Sequence, residues 1–180
     1  MTGKAHISSD TCGQKAFEDI VRQYRQMVWR ISLRMLGDPD EAEDAVQETF
    51  IRAWKALPGY DARYSMATWL GAIAARLCYD TLRRRTLHRR YELETSRSSY
   101  TDREQDPESG NIAEELERQL QTVTRSLSPM QRTVFVLREI EQLPFKEIRQ
   151  ITGWSEIQIK SNLYMARQSV RKAIKKHLTE

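Results

Sequence analysis

The sequence predicts an all-α protein in which two small helical domains are joined by a flexible, acidic linker. Apolar residues recur at i, i+3 or i+4, and i+7 along most of the 180 residues, which is the period of an amphipathic helix. The alternation that marks a half-buried strand is not seen. A stretch rich in Ser, Asp, Gln and Glu at 94–110 interrupts the helical period and has too few apolar side chains to form a core.

The predicted organisation has four parts. They are a flexible N-terminus at 1–15, a first helical domain at 16–90, a linker at 91–111 and a second helical domain at 112–180.

Charge is distributed unevenly along the chain, whose net charge is +4. The basic and acidic residues number 15 and 11 in 1–90, 2 and 9 in 91–117, and 12 and 5 in 118–180. Two basic blocks that flank an acidic segment indicate two units facing a polyanion, joined by a segment that avoids it.

Several classes of protein are not favoured by the composition. The cysteines, Cys12 and Cys78, have no CxxC spacing, and the three histidines are scattered, so we expect no metal site, no cofactor and no disulfide framework. There is no phosphate-cradling GxxxxGK motif, and we expect no catalytic site. The first residues lack a signal-peptide core and no apolar run reaches membrane-spanning length. We therefore expect a cytoplasmic protein that is not itself a membrane protein.

The first two helices are predicted on either side of a turn. Apolar residues at helical spacing from Phe17 to Ile31 indicate a helix that ends at the sequence Gly-Asp-Pro of residues 37–39. The next segment, DEAEDAVQETFIRAW, is one-sided. Its apolar stripe consists of Ala42, Val46, Phe50, Ala53 and Leu57.

The opposite side of this second helix is what we call the acidic face. It comprises Glu43, Asp44, Gln47, Glu48 and Ile51. Two interpretations remain open from the residues alone. Acidic groups near a helix N-terminus stabilise the helix dipole and aid solubility, or the face binds a basic protein surface.

A loop and a third helix follow, rich in arginine and aromatic residues. We call the relevant set the loop–helix surface, which comprises Tyr60, Arg63, Tyr64, Met66, Trp69, Arg76, Arg83 and Arg84. Aromatic rings stack on bases while arginines contact phosphates, so this composition suits a single nucleic-acid strand. The alternative is that Trp69, and with it Tyr60, belongs to the core. Arg63 and Tyr64 are harder to explain in that way.

The C-terminal part predicts a helix-turn-helix. Ser128, Pro129 and Gln131 form a helix start with a capping box, and a later short helix ends at Gly153, where a residue free to adopt positive φ is favoured. Ser155 caps the last helix, with Gln158 three residues on as its reciprocal capping partner. Its inward stripe consists of Ile159, Leu163, Ala166 and Val170.

The outward side of the last helix is the recognition face. It comprises Gln158, Lys160, Ser161, Asn162, Tyr164, Arg167 and Arg171. In a helix-turn-helix the early residues of the second helix reach base edges in the major groove, and the cations contact phosphates. An ordinary helical hairpin with a solvated basic side is the open alternative.

Three segments resemble, in order and spacing, the extracytoplasmic-function (ECF) sigma factors of the sigma-70 family. They are DEAEDAVQETFIRAW, ATWLGAIAARLCYDTLRRR and LPFKEIRQITGWSEIQIKSNLYMAR. The resemblance runs from about Phe17 to the C-terminus. It implies a promoter-specificity subunit of RNA polymerase without catalysis of its own.

The resemblance also implies a partner for each surface. The acidic face would bind the β′ clamp helices of core RNA polymerase, which also brings the β subunit close to the chain. The loop–helix surface would capture a base flipped from the melted −10 non-template strand of promoter DNA. The recognition face would read the −35 element as duplex. Members of the family are commonly held inactive by a cognate anti-sigma factor, often membrane-bound.

The chain departs from the family pattern at a few positions. Arg76 replaces a common Asn, Met66 replaces a frequent aromatic, and Pro144 replaces a frequent Ser cap. Ile157 and Asn162 stand where Gly and Arg are usual. These differences leave the captured base and the −35 sequence open.

Two other functions compete with this interpretation. A stand-alone helix-turn-helix regulator shares the C-terminal features, but it leaves the acidic face and the arginine-rich helix without a joint purpose. An RNA-binding protein or nuclease would explain the basic blocks. A metal nuclease, however, requires carboxylates gathered in one site, whereas these lie along one helix face or in the linker.

Overall fold

The computed structural model describes residues 11–95 and 122–177, and each regular element within them is helical. The helices are α1 (Thr11–Leu36), α2 (Pro39–Ala56), α3 (Met66–Thr95), α4 (Pro129–Phe135), α5 (Phe145–Thr152) and α6 (Glu156–His177). A 3₁₀ turn at Leu57–Gly59 follows α2, and a π-helical segment at Val136–Ile140 continues α4. The all-α prediction is confirmed. Residues 1–10 and most of the predicted linker lie outside the described residues.

The turn between α1 and α2 forms as the sequence predicts. Gly37 has φ +75°, and its N–H donates to the Leu33 carbonyl at 2.8 Å. Asp38 then caps α2, its side chain accepting from the Glu41 N–H at 3.0 Å, with Pro39 at the first helical position. Glycine is required here because a side chain is strained at positive φ.

The helix starts of the C-terminal part are also confirmed. The Ser128 hydroxyl accepts from the Gln131 N–H, and the Gln131 side chain accepts from the Ser128 N–H, which completes the capping box. Gly153 has φ +74° and ends α5. By contrast, Pro144 precedes α5 without a side-chain cap, which leaves the first amides of that helix without the usual partner.

The first three helices enclose a core of their own. Val46, Phe50 and Ala53 of α2 are buried against Val28 of α1 and Leu70 of α3. These α2 residues belong to the predicted apolar stripe, whose remaining members are also buried. The stripe therefore positions the opposite side of α2 towards solvent.

The second core joins the two halves of the chain. Met35 of α1 and Cys78 of α3 lie in one buried cluster with Leu137, Ile148 and Ile151 from the C-terminal half. At the edge of this cluster the rings of Tyr79 and Trp154 are 5.1 Å apart and T-shaped. The sequence predicts two domains joined by a linker, and it does not predict that they share a core.

Polar contacts reinforce this interface at the C-terminal end of α1. The guanidinium of Arg132 donates to the carbonyls of Met35 and Thr124 at 2.9 and 2.8 Å, and Arg125 donates to the Gly37 carbonyl at 3.0 Å. The last carbonyls of a helix lack intrahelical partners and attract cations. Two arginines of the C-terminal half therefore cap a helix of the N-terminal half.

Arg132 is buried, with 5% of its surface exposed. Burial lowers the pKa of its guanidinium to about 10, with smaller contributions from the nearby cations Arg125 and Arg85. The group still carries its charge at neutral pH, and its hydrogen bonds to carbonyl oxygens offset the loss of solvation.

Candidate protein and nucleic-acid contact surfaces

The acidic face of α2 is exposed but its charges are not equivalent. Glu43 accepts from Arg25 of α1 at 2.5 Å, and Glu48 accepts from Arg52 one turn further along α2 at 2.6 Å. Asp44 is exposed, and within residues 11–95 and 122–177 it makes no ion pair or hydrogen bond. Because its charge is not offset by a neighbouring cation, Asp44 is the strongest fixed negative centre of this face.

The other two members of the face are uncharged. Gln47 is exposed, and the side chain of Ile51 is 48% exposed on a helix whose other side is fully buried. An apolar group beside a carboxylate on a rigid helix suits a protein surface better than bulk water. The structure thus brings together all five predicted members of the acidic face.

The loop before α3 is shaped by its own aromatic residues. The Tyr60 ring lies 5.0 Å from the Trp69 ring, and its hydroxyl donates to the Tyr64 carbonyl at 2.5 Å. Burial raises the pKa of Tyr60, with smaller contributions from Tyr24 and Asp61. Tyr60 and Trp69 therefore form the floor of the loop, while Tyr64 is 37% exposed at its surface.

Arg63 lies on the same loop but is not a free cation. Its guanidinium contacts both oxygens of Asp61, the closest approach being 2.6 Å. This hydrogen bonding lowers the pKa of the exposed Asp61 carboxyl and raises that of Arg63. A phosphate approaching Arg63 would have to replace Asp61 as its partner.

The helical part of the loop–helix surface continues along α3. Arg76, Arg83 and Arg84 are exposed, whereas Met66 is half-buried against the first core. The structure therefore separates the predicted set into exposed members and supporting members. Met66, Trp69 and Tyr60 are supporting members.

The start of this surface is in contact with α5. The Thr68 hydroxyl donates to Glu147 at 3.0 Å, and the Gln150 amide lies 3.5 Å from the Tyr64 hydroxyl. Thr68 was not among the predicted site residues, because nothing local in the sequence shows that α5 packs here.

The recognition face of α6 is exposed as predicted. Tyr164 is 62% exposed, and Ser161 and Arg171 also face solvent. The inward stripe of Ile159, Leu163 and Ala166 is buried. The packing of α6 thus leaves the polar side free along its length.

Two cations of this face are already paired. Lys160 contacts Glu156 at 2.7 Å, and Arg167 contacts Glu139 of the π-helical segment at 2.7 Å. The hydrogen bond from Lys160 lowers the pKa of Glu156. These pairs are exposed, so the energy that holds each of them is small.

Gln158 has a structural role that restricts its predicted contact with a base. Its side-chain oxygen accepts from the Ser155 N–H at 2.9 Å, and the Ser155 hydroxyl accepts from the Gln158 N–H. The amide nitrogen of Asn162 donates to the Gln158 carbonyl at 2.8 Å. Of the Gln158 amide, only the NH₂ end is left for a base.

Ile157 lies beside Gln158 and is 81% exposed. The sequence analysis names it only as a departure from the family pattern and not as a site residue. Its position off the inward stripe of α6 was the signal that it faces solvent.

Cys78 is not available for chemistry in this fold. Its side chain is fully buried, and burial raises the pKa of the thiol to about 12. The thiolate, the reactive form, is therefore scarce at neutral pH. The part of the chain that the structure describes contains no group of three or more potential metal ligands, and none of its helices has the length and apolarity to cross a bilayer.

Comparison with protein families identifies both halves of the chain. Residues 20–88 match the model of sigma-70 region 2, and residues 117–170 match a model of sigma-70 region 4. The first match contains the acidic face and the loop–helix surface. The second contains almost all of the recognition face.

Individual relatives agree with this assignment over most of the chain. The ECF RNA polymerase sigma factor SigW of Bacillus subtilis is 31% identical over 169 residues, which is 90% of each chain. The ECF RNA polymerase sigma factor SigE of Mycolicibacterium smegmatis is 30% identical and covers 96% of this chain and 67% of its own.

A solved structure has the same fold at lower identity. It is the sigma factor RpoE of Bartonella quintana, in complex with the anti-sigma factor NepR. It superposes with a TM-score of 0.67 and 20% identity, over 89% of this chain and 98% of that one. This likeness concerns the fold alone.

Proposed function

The chain belongs to the ECF sigma factors of the sigma-70 family, and from this premise we propose how its three surfaces divide the work of promoter-specific transcription initiation. The observation that carries the proposal is their coexistence in one fold. An exposed acidic face, an arginine–aromatic surface and a helix-turn-helix are each supported from beneath by a buried stripe. A stand-alone regulator would use only the last of these.

The acidic face is the docking surface for core RNA polymerase. Asp44 provides an unpaired negative charge, Glu43 and Glu48 extend it, and Ile51 adds an apolar contact. A complementary basic surface, such as that of the β′ clamp helices, would be oriented by this charge and attracted at long range. The same negative charge would repel DNA, so this face, unlike the other two surfaces, does not bind DNA.

The loop–helix surface captures the melted −10 strand. The exposed Tyr64 ring offers a stacking platform, and Arg76, Arg83 and Arg84 line α3 for successive phosphates. Flipping a base costs a few kcal/mol, and stacking on a ring contributes about 1–3 kcal/mol per base. Capture at this surface can therefore offset most of the cost of unstacking, without a catalytic step.

The recognition face reads the −35 element as duplex. With α6 in the major groove, Ser161 and Tyr164 lie nearest base edges, and Ile157 is suited to a thymine methyl group. Lys160, Arg167 and Arg171 contact phosphates, which requires Lys160 and Arg167 to leave their present carboxylate partners.

Two further features belong to this proposal. The chain works in the cytoplasm beside the polymerase and has no enzymatic activity of its own. A cognate anti-sigma factor is its natural inhibitor. This is suggested by the related fold of the RpoE protein, which was solved with the anti-sigma factor NepR.

The test is transcription by purified components. The chain is mixed with core RNA polymerase alone and a promoter library, and transcript starts and strand opening are mapped. We expect specific RNA from core and this chain without any other sigma factor. A stand-alone regulator would change transcription only when another sigma factor is present, and that outcome would contradict the proposal.

A further inference from the structure

The two promoter-reading halves are locked together in this structure by a partly buried ion cluster. Glu141, whose side chain is only 9% exposed, accepts from Arg34 of α1 at 2.9 Å and from Arg30 of α1 at 3.0 Å. Glu141 follows the π-helical segment in the C-terminal half, so the cluster joins residues more than 100 positions apart in the chain. One carboxylate with two arginines forms a stronger contact than an exposed pair.

The backbone next to Glu141 supports a special role for this contact. Gln142 has φ +55°, and it is the only residue other than glycine with positive φ among those the structure describes. A residue with a long side chain rarely adopts this conformation, and it persists where surrounding contacts fix it. Those contacts are the Leu143 N–H to Leu137 carbonyl bond and the Arg138 bond to the Leu143 carbonyl. The loop is thus bent so that Glu141 faces α1.

The locked arrangement is incompatible with a promoter. If the readers bind elements two helical turns apart, their separation is about 70 Å at roughly 35 Å per turn. Here α5 touches the start of the loop–helix surface, with Thr68 and Glu147 3.0 Å apart. The halves must therefore separate before both elements are read.

The three surfaces are not equally accessible in the locked state. Asp44 on the acidic face and Tyr164 on the recognition face are exposed. The loop–helix surface is the one that α5 contacts, through Gln150 and Glu147. The −10 reader is consequently the surface that the closed form restricts.

We propose that Glu141, held by Arg30 and Arg34, is the latch of an autoinhibited resting state, and that opening of this latch is a step of activation. The proposal rests on the proposed function for its consequence in transcription, but the latch itself is a property of the free chain. Binding of core polymerase selects the open form, so the closed population reduces the apparent affinity for core.

The first experiment measures the size of the free, full-length chain by small-angle X-ray scattering. A compact chain of this length has a radius of gyration of about 16 Å, and the wild type should lie near this value. Glu141→Arg places three cations together and should increase the radius by several Å. A triple variant, Arg30→Glu with Arg34→Glu and Glu141→Arg, restores opposite charges and should return the compact size.

The matched control is Glu139→Arg. It makes the same charge change two residues away, but Glu139 pairs with Arg167 inside the C-terminal half. Its radius should equal that of the wild type. Circular dichroism of each variant confirms that helix content is kept.

The second experiment measures affinity for core polymerase by fluorescence anisotropy. The Glu141→Arg variant should bind core polymerase about three- to tenfold more tightly than the wild type, because less of the variant is held in the closed form, which lowers the apparent affinity for core. Any of three results would overturn the latch. They are an extended wild-type chain, a Glu141→Arg variant whose radius of gyration equals that of the wild type, and a Glu141→Arg variant whose affinity for core polymerase is unchanged. These results are separable from failure of the proposed function, which would appear as absence of specific RNA while the scattering result stands.

Discussion

The acidic face of α2 and the recognition face of α6 are built alike but differ in where the charge without an ionic partner among the described residues lies. Each is the solvent side of an amphipathic helix whose other side is buried. On α2 the central acid, Asp44, has no ionic partner among the described residues. It lies between Glu43 and Glu48, which are each paired with an arginine. On α6 the cations Lys160 and Arg167 are each paired with a carboxylate, and the cation without an ionic partner among the described residues, Arg171, follows them towards the end of the helix.

This difference matches the nature of the two proposed partners. A protein surface presents charges at fixed positions, so an unpaired acid on a rigid helix sets orientation. DNA presents phosphates everywhere, so cations held in weak exposed pairs can exchange partners at little cost. The two faces thus differ in the position of the charge without a partner as well as in the sign of their charge.

The largest expected effect comes from reversing charge on the acidic face. Asp44→Arg with Glu48→Arg should lower affinity for core polymerase by at least about 100-fold, because close charge pairs across interfaces contribute about 1.5–7 kcal/mol. Binding of the same full-length protein to −35 duplex DNA should not fall. Fluorescence anisotropy with labelled core and labelled duplex measures both.

The control for that variant is Glu18→Arg with Asp19→Arg. These two acids are exposed on α1, so the total charge change is identical. If this control loses core binding equally, or if the acidic-face variant keeps it, the face serves solubility alone.

A smaller effect separates base contacts from phosphate contacts on α6. Tyr164→Ala should reduce affinity for the −35 duplex about tenfold, within the roughly 1–3 kcal/mol of a base-specific contact. Arg171→Ala should weaken all duplexes alike and reduce the slope of log affinity against log salt by about 1. Both are measured by anisotropy in a salt titration.

Met165 provides the control for Tyr164. It is the next residue along α6, is 49% exposed and lies off the recognition face. Met165→Ala should leave duplex affinity unchanged. Equal losses on specific and random duplexes for Tyr164→Ala would show that Tyr164 does not read sequence.

The smallest effect tests the charge pairs themselves. Arg52→Gln releases Glu48, and Glu139→Gln releases Arg167. Arg52→Gln should improve binding to core polymerase about two- to threefold, and Glu139→Gln should improve binding to the −35 duplex by a similar factor. The reason is that an exposed ion pair is worth about 0.2–1 kcal/mol. Titrations at two salt concentrations measure the gain, which should shrink at high salt. A loss of binding in either case would mean that the pair orients the face.

Local rules of the sequence predicted the parts of the fold that local interactions determine. The turn at Gly37, the capping box at Ser128 and the break at Gly153 all depend on residues within one or two helical turns. The faces of α2 and α6 follow from the 3.6-residue period. For this reason the predicted acidic face and recognition face lie opposite the buried stripes of α2 and α6.

What local rules could not supply is the packing of one half on the other. The contact between Glu141 and α1 links distant positions, and no local pattern indicates that Arg132 is buried. Two residues of the predicted surfaces also have a structural part that the sequence indicates. Gln158 completes the cap of α6, which restricts it as a base reader, and Tyr60, for which the sequence left the core open, supports its loop from below.

The loop ahead of α3 has its shape before any strand arrives. The Tyr60 hydroxyl bond to the Tyr64 carbonyl and the ring contact with Trp69 hold it within the free chain. A binding element that is already ordered loses little conformational entropy when its ligand settles. In the proposed capture of the −10 strand, most of the disorder removed is therefore that of the nucleotides, so we expect discrimination between promoters to reflect how readily their own DNA strands unstack.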